Sequence, residues 1–191
     1  MKRQYALAAA VVAGMATLAS IGWLGYRLLE RNRLPDGIPP GLISSQQVQP
    51  DQTQADAVLR LTLPDLDGRP QALAQWRGKV LVVNYWASWC APCVEEMPAF
   101  SRLQQQYATK GVQFIGIGVD EVENLRKFVR TTPVAYPLLV GDAAGTQAPD
   151  LQIKGLPYTL VIDRDGRIAG GRLGRFDEPT LDPILRRLVA Q

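Results

Sequence analysis

Cys90 and Cys93 are the only cysteines in this chain of 191 residues, and only Ala91 and Pro92 separate them. Two thiols at that spacing are placed to close a disulfide and to open it again. The residues on either side make this chemistry usable. Val80 to Trp86 is an apolar run rich in β-branched and aromatic side chains, which is the pattern of a buried strand. Val94, Glu95, Glu96 and Met97 favour helix, so the sulfurs stand where a strand hands over to a helix. Free backbone N–H groups at a helix N-terminus stabilise negative charge, so Cys90 should ionise more readily than a free thiol. Pro92 suits the first helical turn, where its missing N–H costs nothing.

Duller roles fit less well. A structural disulfide over so short a loop would restrict the unfolded chain little. A zinc site needs four ligands, and the sequence holds no histidine and no further cysteine. The absence of histidine also removes the commonest general base. Redox catalysis by the cysteine pair is the favoured reading, with no cofactor and no metal.

The run V-N-Y-W-A-S-W-C-A-P-C-x-x-E-M-P resembles thioredoxin-like thiol–disulfide oxidoreductases, and among them the membrane-anchored TlpA/ResA type. The resemblance extends from about Leu59 to the C-terminus. Trp89, Glu96 and Pro98 fit it, as does the segment Gly155-Leu156-Pro157-Tyr158-Thr159. It implies that Cys90 is the attacking nucleophile and Cys93 the buried resolving thiol, the two forming the redox-active disulfide. It implies a cis Leu156–Pro157 bond facing that disulfide, with the Leu156 backbone free to pair with a bound peptide. Trp89 is expected to lie partly exposed beside Cys90 and help bind substrate, whereas Trp86 belongs in the core.

Thioredoxin carries a buried aspartate where this chain has Asn84, and an amide cannot accept the resolving thiol's proton. Glu96, about one turn beyond Cys93, is the replacement candidate; the competing reading is an ordinary solvent-facing carboxylate. Glu95 reads as solvated surface. A copper chaperone of related fold would need a wider cysteine spacing and a histidine. A peroxiredoxin would carry its cysteine in a different loop context.

Several elements must position these residues. Residues 5–26 are uncharged and long enough to span a bilayer, so residues 1–30 read as an N-terminal membrane anchor, with a cleaved signal peptide as the alternative. Residues 31–56, rich in Pro, Gln, Ser and Gly, read as a flexible linker. Residues 57–191 form the expected thioredoxin-like α/β domain: a mixed sheet flanked by helices, with an N-terminal hairpin and a central helix–strand insertion. Its expected strands cover 59–63, 71–73, 80–86, 112–119, 136–140, 157–163 and 167–173. Helices are expected to run from the cysteines to about 109, over 121–130 with Asp120 as cap, weakly over 143–152, and over 178–190 with Asp177 as cap.

Five basic residues and one acidic residue lie in positions 1–33, which leaves 16 of the 21 basic and 17 of the 18 acidic residues for the remainder. The remainder is nearly neutral, so the chain lacks the electrostatic footprint of a nucleic-acid-binding protein. The resemblance implies an extracytoplasmic oxidoreductase, single-pass in the bacterial inner membrane with its catalytic domain on the periplasmic side. Its substrates would be proteins with disulfides or cysteine pairs, as in cytochrome c maturation or copper-site assembly, and a DsbD/CcdA-like membrane protein would supply electrons. A disulfide oxidase and a thioredoxin-like assembly module are the alternatives.

Overall fold

A computed structural model of the protein describes residues 50–141 and 153–191. The expected anchor, most of the linker and the helix expected over 143–152 lie outside these residues. Among the described residues no helix is long and apolar enough to cross a membrane.

The described chain begins with α1 (Gln52–Arg60), whose Gln54 N–H donates to the Asp51 carboxylate at 3.2 Å. Ala55, Val58 and Leu59 recur at helical spacing and are buried. The expected linker therefore gives way to helix at residue 52, and Leu59 and Arg60 are helical rather than extended. Alternating Leu59, Leu61 and Leu63 suggest a strand, but Leu59 also completes the helical stripe, and burial of that stripe decides. The first strand is β1 (Thr62–Pro64), paired antiparallel with β2 (Pro70–Ala72) as the expected hairpin. A 3-10 turn, Leu73–Trp76, leads into β3 (Val80–Trp86), which is buried at every position.

After the cysteine turn comes α2 (Ala91–Tyr107), with Pro98 inside it on an exposed position. Proline cannot donate to the Val94 carbonyl, and at a solvent-facing site water can take that place. Then follow β4 (Val112–Val119), α3 (Val122–Thr131), β5 (Leu138–Gly141), β6 (Tyr158–Ile162), β7 (Ile168–Leu173) and α4 (Glu178–Val189). Asp177 caps α4 as expected, accepting from Thr180 N–H at 3.1 Å. Asp120 does not cap α3, because Glu121 occupies that position.

The main sheet has the order β5-β4-β3-β6-β7. β3 runs parallel to β4 and β4 to β5, while β6 is antiparallel to both β3 and β7. Alternation along β3 divides the core between two faces. Val80, Val82 and Trp86 pack with Met97, Phe100 and Leu103 of α2 and with Leu181 and Leu185 of α4. Leu81, Val83 and Tyr85 pack on the opposite face with Ala55, Val58 and Leu59 of α1.

Two glycines of β4 let α3 and β5 approach closely. A Cβ at Gly116 would stand 2.5 Å from Leu138 Cδ2, and one at Gly118 would stand 2.6 Å from Leu125 Cδ1. Both distances are below van der Waals contact, so α3 and β5 occupy volume that side chains on β4 would otherwise fill.

Candidate active site

The cysteines sit at the C-terminal end of β3, the central strand of the sheet. Cys90 is the N-cap of α2, and its carbonyl accepts from Cys93 N–H at 3.0 Å and Val94 N–H at 3.1 Å. Cys90 and Cys93 are joined as a disulfide with Cα atoms 5.3 Å apart. Cys93 is fully buried, while Cys90 is 6 % exposed. Both are buried, but Cys90 stands between exposed Trp89 and Ala91 in the turn that opens α2, which places it nearer a bulky partner than Cys93. Trp89 is 70 % exposed and Trp86 is buried, as the sequence suggested.

The turn holding Trp89 and Cys90 is anchored by Asp120, the residue that follows β4. Asp120 Oδ2 accepts both the backbone N–H of Ser88, at 3.2 Å, and its hydroxyl. Asp120 Oδ1 accepts from Glu121 N–H at 2.8 Å and Asn124 Nδ2 at 3.0 Å. Burial opposes ionisation here, but donors from Asn124, Ser88 and Glu121 outweigh it and hold the carboxyl below its usual value. Sequence reasoning missed this clamp because its partners are 32 residues apart.

The peptide bond between Leu156 and Pro157 is cis. Leu156 packs against the core cluster that contains both cysteines. The Pro157 carbonyl accepts from Gly174 N–H at 2.8 Å, which ties the proline loop to the turn after β7.

Glu96 lies on the buried side of α2 and is only 1 % exposed. Its Oε1 accepts from Asn84 Nδ2 at 2.7 Å, and its Oε2 accepts from Phe176 N–H at 2.7 Å. Burial pushes its pKa up to about 7, against the opposing effects of the Phe176 amide, Asn84, Arg175 and Arg172. It is therefore not the solvent-facing carboxylate of the competing reading. Asn84 also donates to Thr159 Oγ1 at 3.0 Å, while its own Oδ1 has no partner among the described residues. Tyr136, which sequence reasoning did not single out, is buried close enough for a Glu96 charge to help raise its pKa, behind the larger effect of burial. Glu95 is exposed and lies 3.2 Å from Arg175 Nη1.

A mixed sheet with a disulfide at the junction of β3 and α2, a cis-proline loop and a buried carboxyl on α2 defines a thioredoxin-like thiol–disulfide oxidoreductase. Comparison with known proteins gives the same class. The chain belongs to the AhpC/TSA family, whose profile matches residues 55–170, and within it to the TlpA/ResA type of oxidoreductase. It is 30 % identical over 126 residues to the thiol-disulfide oxidoreductase ResA of Bacillus thuringiensis subsp. konkukian, covering 65 % of this chain and 72 % of that protein. It is 29 % identical over 179 residues to the thioredoxin-like protein YneN of Bacillus subtilis, covering 91 % of this chain and 95 % of that one. Among solved structures it is similar to a thiol:disulfide interchange protein of the thioredoxin family from Chlorobium tepidum. The TM-score is 0.58 and the identity 28 %, over 68 % of this chain and 92 % of the other.

Proposed function

We propose that this protein is a membrane-tethered reductase of partner-protein disulfides on the extracytoplasmic side of the bacterial inner membrane. The reading rests chiefly on the placing of the cysteine pair: Cys90, 6 % exposed, caps α2 in the turn beside exposed Trp89, and Cys93 lies fully buried inside the helix. In the reduced protein, the Cys90 thiolate attacks a partner disulfide, forms a mixed disulfide and expels one partner thiolate. Cys93 then loses its proton and attacks Cys90 Sγ, which releases the second partner thiolate and forms the Cys90–Cys93 disulfide. Two electrons pass from the dithiol to the partner. Glu96, buried and poised near neutral pH, takes the Cys93 proton. Trp89, Leu156 and Pro157 form the surface on which the partner's cysteine segment lies.

Partners of this chemistry include cysteine pairs of apocytochrome c or of a copper site. Recharging the pair in an oxidising compartment requires electrons from a membrane protein of the DsbD/CcdA kind. The tether is the uncharged segment at residues 5–26, amino terminus inside.

The deciding experiment compares Cys93→Ala with Cys90→Ala. The first should accumulate mixed disulfides with partners, because nothing resolves them, and its remaining thiol should be alkylated quickly near neutral pH. The second should be nearly inert in both assays; equal trapping or equal alkylation would overturn the assignment. For the orientation, alkaline phosphatase fused after Gln191 should be active in a bacterial host, and an inactive fusion would reverse the topology.

A further inference from the structure

The turn after β7 joins both parts of the candidate substrate surface. Gly174 N–H bonds the Pro157 carbonyl at 2.8 Å, and Phe176 N–H bonds Glu96 at 2.7 Å. Arg175 reaches Glu95, two residues beyond Cys93, at 3.2 Å. A segment lying along the cis-proline loop and the start of α2 therefore passes beside this turn.

Two arginines mark it, and their states differ. Arg175 and Glu95 are both more than half exposed (54 % and 59 %), so their ion pair is weak and open to exchange with another carboxylate. Arg172 is held more firmly. Its Nε donates to the Arg175 carbonyl at 2.6 Å, and its guanidinium lies 5.7 Å from the centre of the Phe176 ring. These contacts fix the plane of the guanidinium without neutralising it, and no carboxylate among the described residues forms an ion pair with it. The neighbouring acids are engaged elsewhere: Asp177 caps Thr180 N–H at 3.1 Å, and Glu178 pairs with Arg102 at 2.7 Å. A fixed guanidinium without an ion-pair partner among the described residues, its charge felt only at a distance by buried Glu96, presents a planar fork of donors that suits a carboxylate.

We propose that Arg172 and Arg175 form a carboxylate-reading subsite beside the disulfide, selecting partner polypeptides with an Asp or Glu close to the target cysteine. Glu95 holds Arg175 in place until the partner's carboxylate displaces it. The position favours a polypeptide over an anionic lipid, since a bilayer seated on the turn would cover the cysteine that must be reached. This inference rests on the reductase reading above and names its substrate class.

The test uses the full chain in detergent, reduced with dithiothreitol and then freed of it. It is given peptide disulfides that differ only in whether Asp, Ala or Lys flanks the cysteine. The readout is the ratio of the second-order rate constant for single-turnover reduction of the Asp peptide to that for the Lys peptide, the protein's own dithiol supplying the two electrons, taken within each variant so that changes in thiol chemistry cancel. The parent should show a ratio of roughly ten at low ionic strength, the scale of one or two exposed ion pairs gained against repulsion, and the ratio should shrink in salt. The Arg172→Glu/Arg175→Glu double variant should invert the preference, and Arg172→Gln alone should move it part of the way. An unbiased parent, or a double variant with the parent's ratio, overturns the subsite. So does a parent that binds phosphatidylglycerol vesicles through these arginines while treating all three peptides alike. Reduction of uncharged 2-hydroxyethyl disulfide by the parent separates the two readings. If that fails, the reductase proposal itself falls; if it succeeds without charge preference, only the subsite falls.

Discussion

Replacing Glu96 with glutamine removes a buried ionisable group while keeping its size, so the variant isolates what the charge does. In the folded protein burial raises the Glu96 pKa from 4.5 to about 7. Between those values the folded state binds more protons than the unfolded chain, so stability must fall as pH rises through the window. The loss from this one group is about 3 kcal/mol, complete above the folded value and absent below the unfolded one. The substituted amide cannot titrate. It can still accept from Phe176 N–H, and its nitrogen can face Asn84 if that side chain turns its unpartnered Oδ1 inward. The rearrangement should cost about 1 kcal/mol, one hydrogen bond's net worth. Urea unfolding of the oxidised protein, followed from pH 4.5 to pH 8, should then give curves that cross. The parent is equal or slightly better at the acid end, and Glu96→Gln is better by about 2 kcal/mol at pH 8. Parallel curves, or a variant weaker throughout, would mean that Glu96 is already ionised at low pH and the proton-acceptor role would fail. The reduced variant should also exchange disulfides more slowly than the parent, with an altered pH profile.

Other perturbations test the surroundings. Asp120→Ala removes the acceptor for Ser88, Glu121 and Asn124 and should lower stability by about 1–3 kcal/mol in urea unfolding. The Asp120 contribution, from a depressed pKa, is present above the unfolded carboxyl value and lost as pH falls through the folded one, and Asp120→Asn should retain part of it. Gly118→Ala drives a methyl into Leu125 and should cost about 1–3 kcal/mol, read as a lowered Tm; an unchanged Tm would mean that α3 yields easily.

Legibility followed range along the chain. The cysteine turn, the buried strand before it and the strands β6 and β7 each carry their signal within a few consecutive residues, and the family resemblance located the proline loop. α1 was obscured because its exposed Gln, Thr and Asp residues match a tether's composition, and its apolar stripe of Ala55, Val58 and Leu59 becomes decisive only when a sheet covers it. Glu96 was identified as a candidate, but its burial depends on Asn84 and on Phe176, 12 and 80 residues away. The Ser88–Asp120 clamp and the arginines beside Pro157 are brought to the site only by the sheet order, which local pattern does not reveal.

The glycines of β4 bear on how such a domain can change over time. Because Gly116 and Gly118 leave room for Leu138 and Leu125, the helix and outer strand carrying those leucines are not detachable ornaments. Deleting them would leave two hollows on the central sheet; filling β4 first would expel the leucines before the segment was gone. Each change is harmful alone and tolerable only with the other, so a lineage with this arrangement is held in it. An engineer seeking a minimal version must trim the segment and enlarge both glycines in a single step.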